Sequence, residues 1–212
     1  MVGAGSMEDM KLELCRILLK TGALKFGAFK LTSGKLSPYY IDLRIIPSYP
    51  KALRRIIEFY ELLAAEELKG EFDKIAGVPT SGIPFAAILA YRMDKPFIYL
   101  RKERKTHGME RRVEGLLYPG EAVLIVDDLI TTGKSIVEAV EAVKAEGGEA
   151  ADALVLIDRE EGGGEKLKER GVKLHAFMKI GEAAELLYKM EAITREQYEE
   201  IIGSRGIKSQ SE

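Results

Sequence analysis

Residues 123–135 read VLIVDDLITTGKS, an apolar run, two adjacent acids and a Thr/Gly/Ser turn. Val123 to Val126 suit a buried central strand, with Asp127 and Asp128 at its carboxyl end. Leu129 and Ile130 lead into Thr131, Thr132, Gly133, Lys134 and Ser135, a turn opening a helix over 134–146. Backbone N–H groups of such a turn, and the helix N-terminus behind it, favour an anion. Two carboxylates beside an anion site would repel their ligand unless it also carries groups that want carboxylates. A ribose 5-phosphate meets both demands: its 2′- and 3′-hydroxyls donate to the acids while the turn holds the 5′-phosphate. A nucleotide-triphosphate loop is excluded, because that motif needs a glycine five residues before Gly133, and Asp128 stands there.

Outward from this stretch the chain alternates. Residues 74–78 (KIAGV), 97–100 (FIYL), 122–126 (AVLIV), 153–157 (ALVLI) and 173–177 (KLHAF) read as short strands. Helical patterns begin at Ile83 and fill 134–146 and 164–170. This alternation predicts an α/β fold with a doubly wound, mainly parallel sheet, whose ligands sit beyond the carboxyl ends of the strands. An amphipathic helix over 8–20 ends at Gly22, and residues 23–43 are strand-like with SGKLSP (33–38) as the turn. A long helix follows over 50–69. Residues 181–212 read as a helical pair, the second opened by the capping box Thr194-x-x-Gln197. We expect one domain over residues 1–212, with about 8–43 and 178–205 forming a small hood and flanking helices. Residues 1–6 are either a native extension or a cloning scar.

Of the 212 residues 46% are hydrophobic and 31% charged, with a net charge of -2, which suits a globular domain and argues against a broad nucleic-acid-binding face. Cys15 is the single cysteine, so no disulfide forms within the chain, and a reducing cytoplasm is expected. The chain has no apolar run of membrane-spanning length. It has no Asn, and Gln only at 197 and 210, amid abundant Glu, Lys and Arg, a balance that suits a hot environment. Cys15 and His175 read as packing residues.

VLIVDDLITTGKS resembles the phosphoribosyl-diphosphate-binding motif of the type I phosphoribosyltransferases. A second stretch, RKERKTHGMERR (101–112), packs six Lys/Arg and a His into a loop that starts at the ligand-facing end of strand 97–100. Its first eight residues resemble the catalytic loop of orotate phosphoribosyltransferases, Arg-Lys-Glu-x-Lys-x-His-Gly, matched by Arg101, Lys102, Glu103, Lys105, His107 and Gly108. ALKFGAFKLTSGKLSPYYID (23–42) resembles that family's N-terminal segment, and GVPTSGIPFA (77–86) its diphosphate loop, with Thr80 and Ser81. IDRE (157–160) resembles the stretch whose arginine, here Arg159, contacts the orotate carboxylate. The resemblance runs from about residue 10 to 190. The chain departs from many bacterial members at Ser81 and Thr32, where they carry lysine; Lys30 and Lys35 are the nearby substitutes for the second. The TSGIP form is similar to the archaeal branch.

The resemblance implies the reaction of orotate with 5-phosphoribosyl 1-diphosphate to give orotidine 5′-monophosphate and pyrophosphate. Arg101, Lys102, Lys105 and His107 would stabilise charge growing on the departing diphosphate. Asp127 and Asp128 would hold the ribose and, through water or its hydroxyls, Mg2+. Residues 129–135, Thr80 and Ser81 would bind the phosphates, and Arg159 and Thr131 would meet the base. A homodimer is implied, the basic loop reaching into its neighbour's site. A phosphoribosyltransferase for another base, and a non-enzymatic sensor of the same sugar diphosphate, are the remaining readings.

Overall fold

A computed structural model describes residues 6–30, 36–69, 71–101 and 112–205. Helix α1 (Met7–Thr21) opens on a reciprocal cap between Ser6 and Asp9 and stops at Gly22, whose φ of 73° is left-handed. Strands β1 (Leu24–Lys30) and β2 (Leu36–Ile41) form an antiparallel hairpin. Leu36, Ser37 and Pro38, expected in the turn, belong to the second strand. Pro38 is tolerated there because a two-stranded sheet has only edge strands. A 3-10 turn over Leu43–Ser48 leads into α2 (Pro50–Leu68), which starts on a proline, a residue that loses nothing at a first helical position.

The remaining chain builds a six-stranded sheet from β3 (Lys74–Gly77), β4 (Phe97–Leu100), β5 (Val113–Glu114), β6 (Ala122–Ile130), β7 (Glu149–Asp158) and β8 (Lys173–Lys179). Its order is β5-β4-β3-β6-β7-β8, parallel except for the short edge strand β5, which the sequence pattern did not reveal. Helices α3 (Gly82–Arg92), α4 (Lys134–Ala145) and α5 (Gly163–Lys168) connect the strands, and α6 (Ile180–Lys189) and α7 (Arg195–Ser204) close the chain. Alternate residues of β6 serve opposite layers. Leu124 and Val126 pack in the core formed with α1, α2, α3 and α6, whereas Val123 and Ile125 pack with α4. Phe59 of α2 stacks on Phe177 of β8, ring centroids 4.6 Å apart, which fixes α2 across the first layer. The N-terminal hairpin and the terminal helices meet beside this layer: α7 packs on β2, and α1 on β1 and α6. Among the described residues no helix is long and apolar enough to cross a membrane.

Strand β6 runs further than its apolar core implies. Pairing with β3 ends at Gly77 and Val126, but pairing with β7 continues through Asp127–Val155, Leu129–Ile157 and Ile130–Asp158. Asp127 and Asp128 therefore sit within the strand, at the level where its β3 neighbour has already stopped. A short β3 beside a long β7 produces this, and only the partner strands reveal it.

Candidate active site

The chain leaves β3 toward β4 on one side, while β6, β7 and β8 extend to the other. Their neighbouring carboxyl ends form a topological switch point, where open α/β sheets bind ligands. The loop after β3 and the turn after β6 enclose a cavity of about 200 Å³ here. It is lined by Pro79, Ser81 and the run Asp127–Ile136. Thus Asp127, Asp128, Leu129, Ile130, Thr131, Thr132, Gly133, Lys134, Ser135 and Ser81 come together around one cavity. Thr80 lies in the same loop with its side chain exposed, outside the lining.

Two glycines make the approach possible. A Cβ at Gly82 would stand 2.7 Å from the Val126 carbonyl and 2.8 Å from Asp127 Oδ1, so the start of α3 can lie against β6 only without a side chain. Gly133 caps α4 with φ 77°, a left-handed conformation that glycine adopts without steric cost. The N-terminus of the 12-residue α4 consequently faces the cavity, supplying free N–H groups and a positive dipole end.

The two acids are buried, each with 6% of its surface exposed. Asp127 Oδ1 accepts the Asp128 backbone N–H at 2.9 Å. Asp128 Oδ1 accepts the Ser81 hydroxyl and the Leu129 N–H, both at 2.9 Å. Burial pushes both carboxyls above their ordinary range, and the Asp128 charge pushes Asp127 further. The hydrogen bonds to Asp128 only partly offset this. Such a pair gains most from a ligand that donates hydroxyls or brings a cation.

Arg159 follows the last residue of β7, its N–H donated to the Ile130 carbonyl at 3.0 Å. Its buried guanidinium lies 4.7 Å from the Tyr39 ring centroid, with Nε 3.2 Å from the Tyr39 hydroxyl and Nη2 2.9 Å from Glu161 Oε1. It lies outside the cavity lining, its backbone bonded to Ile130, which lines the cavity, and its side chain against the N-terminal hairpin. Arg101, at the end of β4, lies outside the cavity lining and pairs with Glu114 at 2.6 Å, and its N–H bonds the Arg112 carbonyl. Lys102, Lys105 and His107, with Thr32 and Lys35, lie outside the described residues.

Sequence reading missed Tyr39 and Tyr60. Tyr60 is wholly buried in α2 and donates its hydroxyl to the Asp127 carbonyl at 2.7 Å. It occupies the same apolar stripe as Ile56, Phe59 and Leu63, so its pattern is that of a core residue. His175 is indeed a packing residue: buried in β8, its Nε2 lies 2.7 Å from Asp152 Oδ1 and its Nδ1 3.5 Å from Glu67. Cys15 is buried beside Met178, and burial pushes its thiol up to about 12.

Comparison with known proteins of similar sequence and shape places the chain in a family. The family model of the phosphoribosyl transferase domain matches residues 45–183. Orotate phosphoribosyltransferase of Pyrobaculum aerophilum is 46% identical over 172 residues, covering 80% of this chain and 87% of the relative. The chain belongs to the orotate phosphoribosyltransferase family. The crystal structure of the orotate phosphoribosyltransferase from Aeropyrum pernix superposes with a TM-score of 0.76 at 36% identity, covering 85% of this chain and 99% of that one. Leishmania donovani UMP synthase, a longer chain, superposes with a TM-score of 0.81 at 34% identity over 93% of this chain and 42% of its own. Family membership identifies the mainly parallel sheet as that of the type I phosphoribosyltransferases. The cavity is assembled from that sheet, and the paired acids and the anion-favouring turn share it.

Proposed function

We propose that this protein transfers the 5-phosphoribosyl group of 5-phosphoribosyl 1-diphosphate to orotate, giving orotidine 5′-monophosphate and pyrophosphate in pyrimidine nucleotide synthesis. The observation that carries this is one cavity holding both Asp127–Asp128 and the 131–135 turn, within a chain of this family. The acids accept the ribose hydroxyls, and the turn with the α4 N-terminus receives the 5′-phosphate. Ser81, bonded to Asp128, adds a hydroxyl on the diphosphate side together with Thr80.

The bond from the sugar C1 to the diphosphate loosens toward an oxocarbenium-like state, and negative charge grows on the departing oxygen. Preorganised cations stabilise that charge best where water is excluded. Arg101, Lys102, Lys105 and His107 take this part, the basic loop acting in the site of the second subunit of a homodimer. Orotate carries its charge at neutral pH on the carboxylate. The N–H proton of the attacking ring nitrogen is lost as the N–C1 bond forms and the C1–O bond breaks, and the departing diphosphate is an anion that can accept it. Arg159 pairs with the carboxylate of the base, and Thr131 lies beside the ring.

Among the described residues no three His, Cys, Asp or Glu side chains form a metal cage. Two adjacent carboxylates facing a diphosphate site nevertheless fit Mg2+, which characteristically relies on few protein ligands plus substrate phosphates. Asp127 and Asp128 would hold it through water or the ribose hydroxyls, and the ion would neutralise diphosphate charge. The lone buried thiol supports a cytoplasmic location, and the scarcity of amides a high working temperature.

The test is orotate absorbance in the presence of protein, Mg2+ and the ribosyl donor, with uracil, adenine and hypoxanthine in parallel. Loss of orotate signal that requires both Mg2+ and donor is expected. Pyrophosphate release with another base but not orotate would overturn the substrate, and silence with every base would overturn the activity.

A further inference from the structure

The segment that carries Arg159 is pinned from outside the cavity. Asp158, the last residue of β7, accepts the Glu160 N–H on Oδ1 at 2.8 Å, so the chain turns at once on leaving the strand. Glu160 then takes a φ of 55°, a left-handed conformation that a residue with a Cβ rarely adopts unaided. Its own carboxylate supplies the support. Glu160 Oε2 accepts the Gly181 N–H of α6 at 3.0 Å and lies 3.3 Å from Arg205 Nη1. The first turn of α6 has free N–H groups and a positive dipole end, so a carboxylate is well matched to it. The residues flanking Glu160 are directed elsewhere: Arg159 lies across Tyr39, and Glu161 pairs with Arg159 at 2.9 Å.

We propose that Glu160 is the positioning residue for Arg159, and that its bonds to Gly181 and Arg205 couple the base-binding side of the site to the C-terminal helices. This rests on the reading that Arg159 receives the carboxylate of orotate. Glu160 does not touch substrate; it sets the backbone turn from which Arg159 departs. A Cβ at residue 181 would run into the Arg205 guanidinium and stand 2.9 Å from Glu160 Oε2, so a side chain there would displace both ends of this contact.

Steady-state kinetics of the full chain with Mg2+, varying orotate and donor separately, test this. Loss of a charged hydrogen-bond anchor predicts that Glu160→Ala raises KM for orotate about tenfold, with kcat and the donor KM within about twofold of wild type. Glu160→Gln keeps an acceptor for the Gly181 N–H and should show a rise of only about threefold. Glu160→Gly relieves the backbone conformation but lacks the carboxylate, so it should match the alanine variant. Arg205→Ala should move KM for orotate in the same direction by less. An unmoved orotate KM in Glu160→Ala, parallel losses in both KM values and kcat, or wild-type behaviour of Glu160→Gly would each overturn the proposal. If Glu160→Ala does not fold, the glutamine and Arg205→Ala variants decide. Failure of wild type to use orotate would remove the underlying reading and this inference together. Wild-type turnover with unmoved variants would remove the inference alone.

Discussion

The Tyr60 hydroxyl donates to the Asp127 carbonyl at 2.7 Å inside the buried core, tying α2 to the strand that carries the paired acids. Burial, followed by the charges of Asp128 and Asp127, pushes the phenol well above its ordinary pKa, so it stays a donor at any working pH. Tyr60→Phe leaves the carbonyl without this partner and should cost about 1–3 kcal/mol of stability, read by urea unfolding. An unchanged unfolding midpoint would show that the bond contributes nothing to stability.

Asp127 and Asp128 carry the opposite sign of effect. Burial raises both carboxyls in the folded protein, so the unfolded chain gives up these protons first as pH rises. Their contribution to stability is therefore most favourable below the ordinary carboxylate range and declines as pH climbs through it. Asp127→Asn should raise the melting temperature of the ligand-free protein at pH 7 by a few degrees, the gain vanishing near about pH 4. The same variant should lose at least about 100-fold in turnover, because the site needs a charged acceptor. Melting curves across pH that show no gain at neutrality would refute the account of burial.

Gly82 offers a test of the close approach between α3 and β6. An added Cβ meets backbone at 2.7 and 2.9 Å and the Asp127 carboxylate at 2.8 Å, and backbone atoms cannot swing aside as a side-chain end can. Gly82→Ala should cost about 1–3 kcal/mol in thermal or urea unfolding and displace the acids enough to depress activity. Wild-type stability and turnover together would mean that the strand and helix adjust freely.

Much of this architecture was legible because its signals are local. The 97–100 strand and the Thr194–Gln197 cap were read with their observed bounds and partners, since apolar runs and capping patterns report on adjacent residues. The turn motif likewise placed Leu129 to Ser135 around one cavity. What escaped depends on distant neighbours. The extension of β6 to Ile130 comes from the length of β7, the two-residue β5 from its pairing with β4, and Tyr60 from α2 lying over Asp127. The pair of Arg101 with Glu114 likewise depends on the edge strand, which brings Glu114 beside the end of β4.

Arg159 should govern the base rather than the sugar. Its guanidinium lies over Tyr39 and pairs with Glu161, a geometry that a lysine ammonium cannot reproduce in a planar, forked form. Arg159→Lys should raise KM for orotate about 10- to 100-fold with the donor KM nearly unchanged. Equal rises in both constants would place Arg159 in the general scaffold instead.

Lys105 tests both the chemistry and the sharing of the loop between subunits. As a donor to the departing diphosphate, Lys105→Ala should lower kcat by about 100- to 1000-fold while leaving KM for orotate near its wild-type value. If the loop serves the neighbouring site, two inactive variants can complement each other. A heterodimer of Lys105→Ala and Arg159→Ala protomers then has one site with both defects and one with neither. Random pairing from equal co-expression makes half of the dimers heterodimers, so about a quarter of wild-type activity should return at low orotate. A loop acting within its own subunit leaves every site with one defect, and the co-expressed mixture would be no more active than the average of the two variants. Differently tagged protomers allow the heterodimer to be purified and assayed alone, where the expected activity is about half that of wild type.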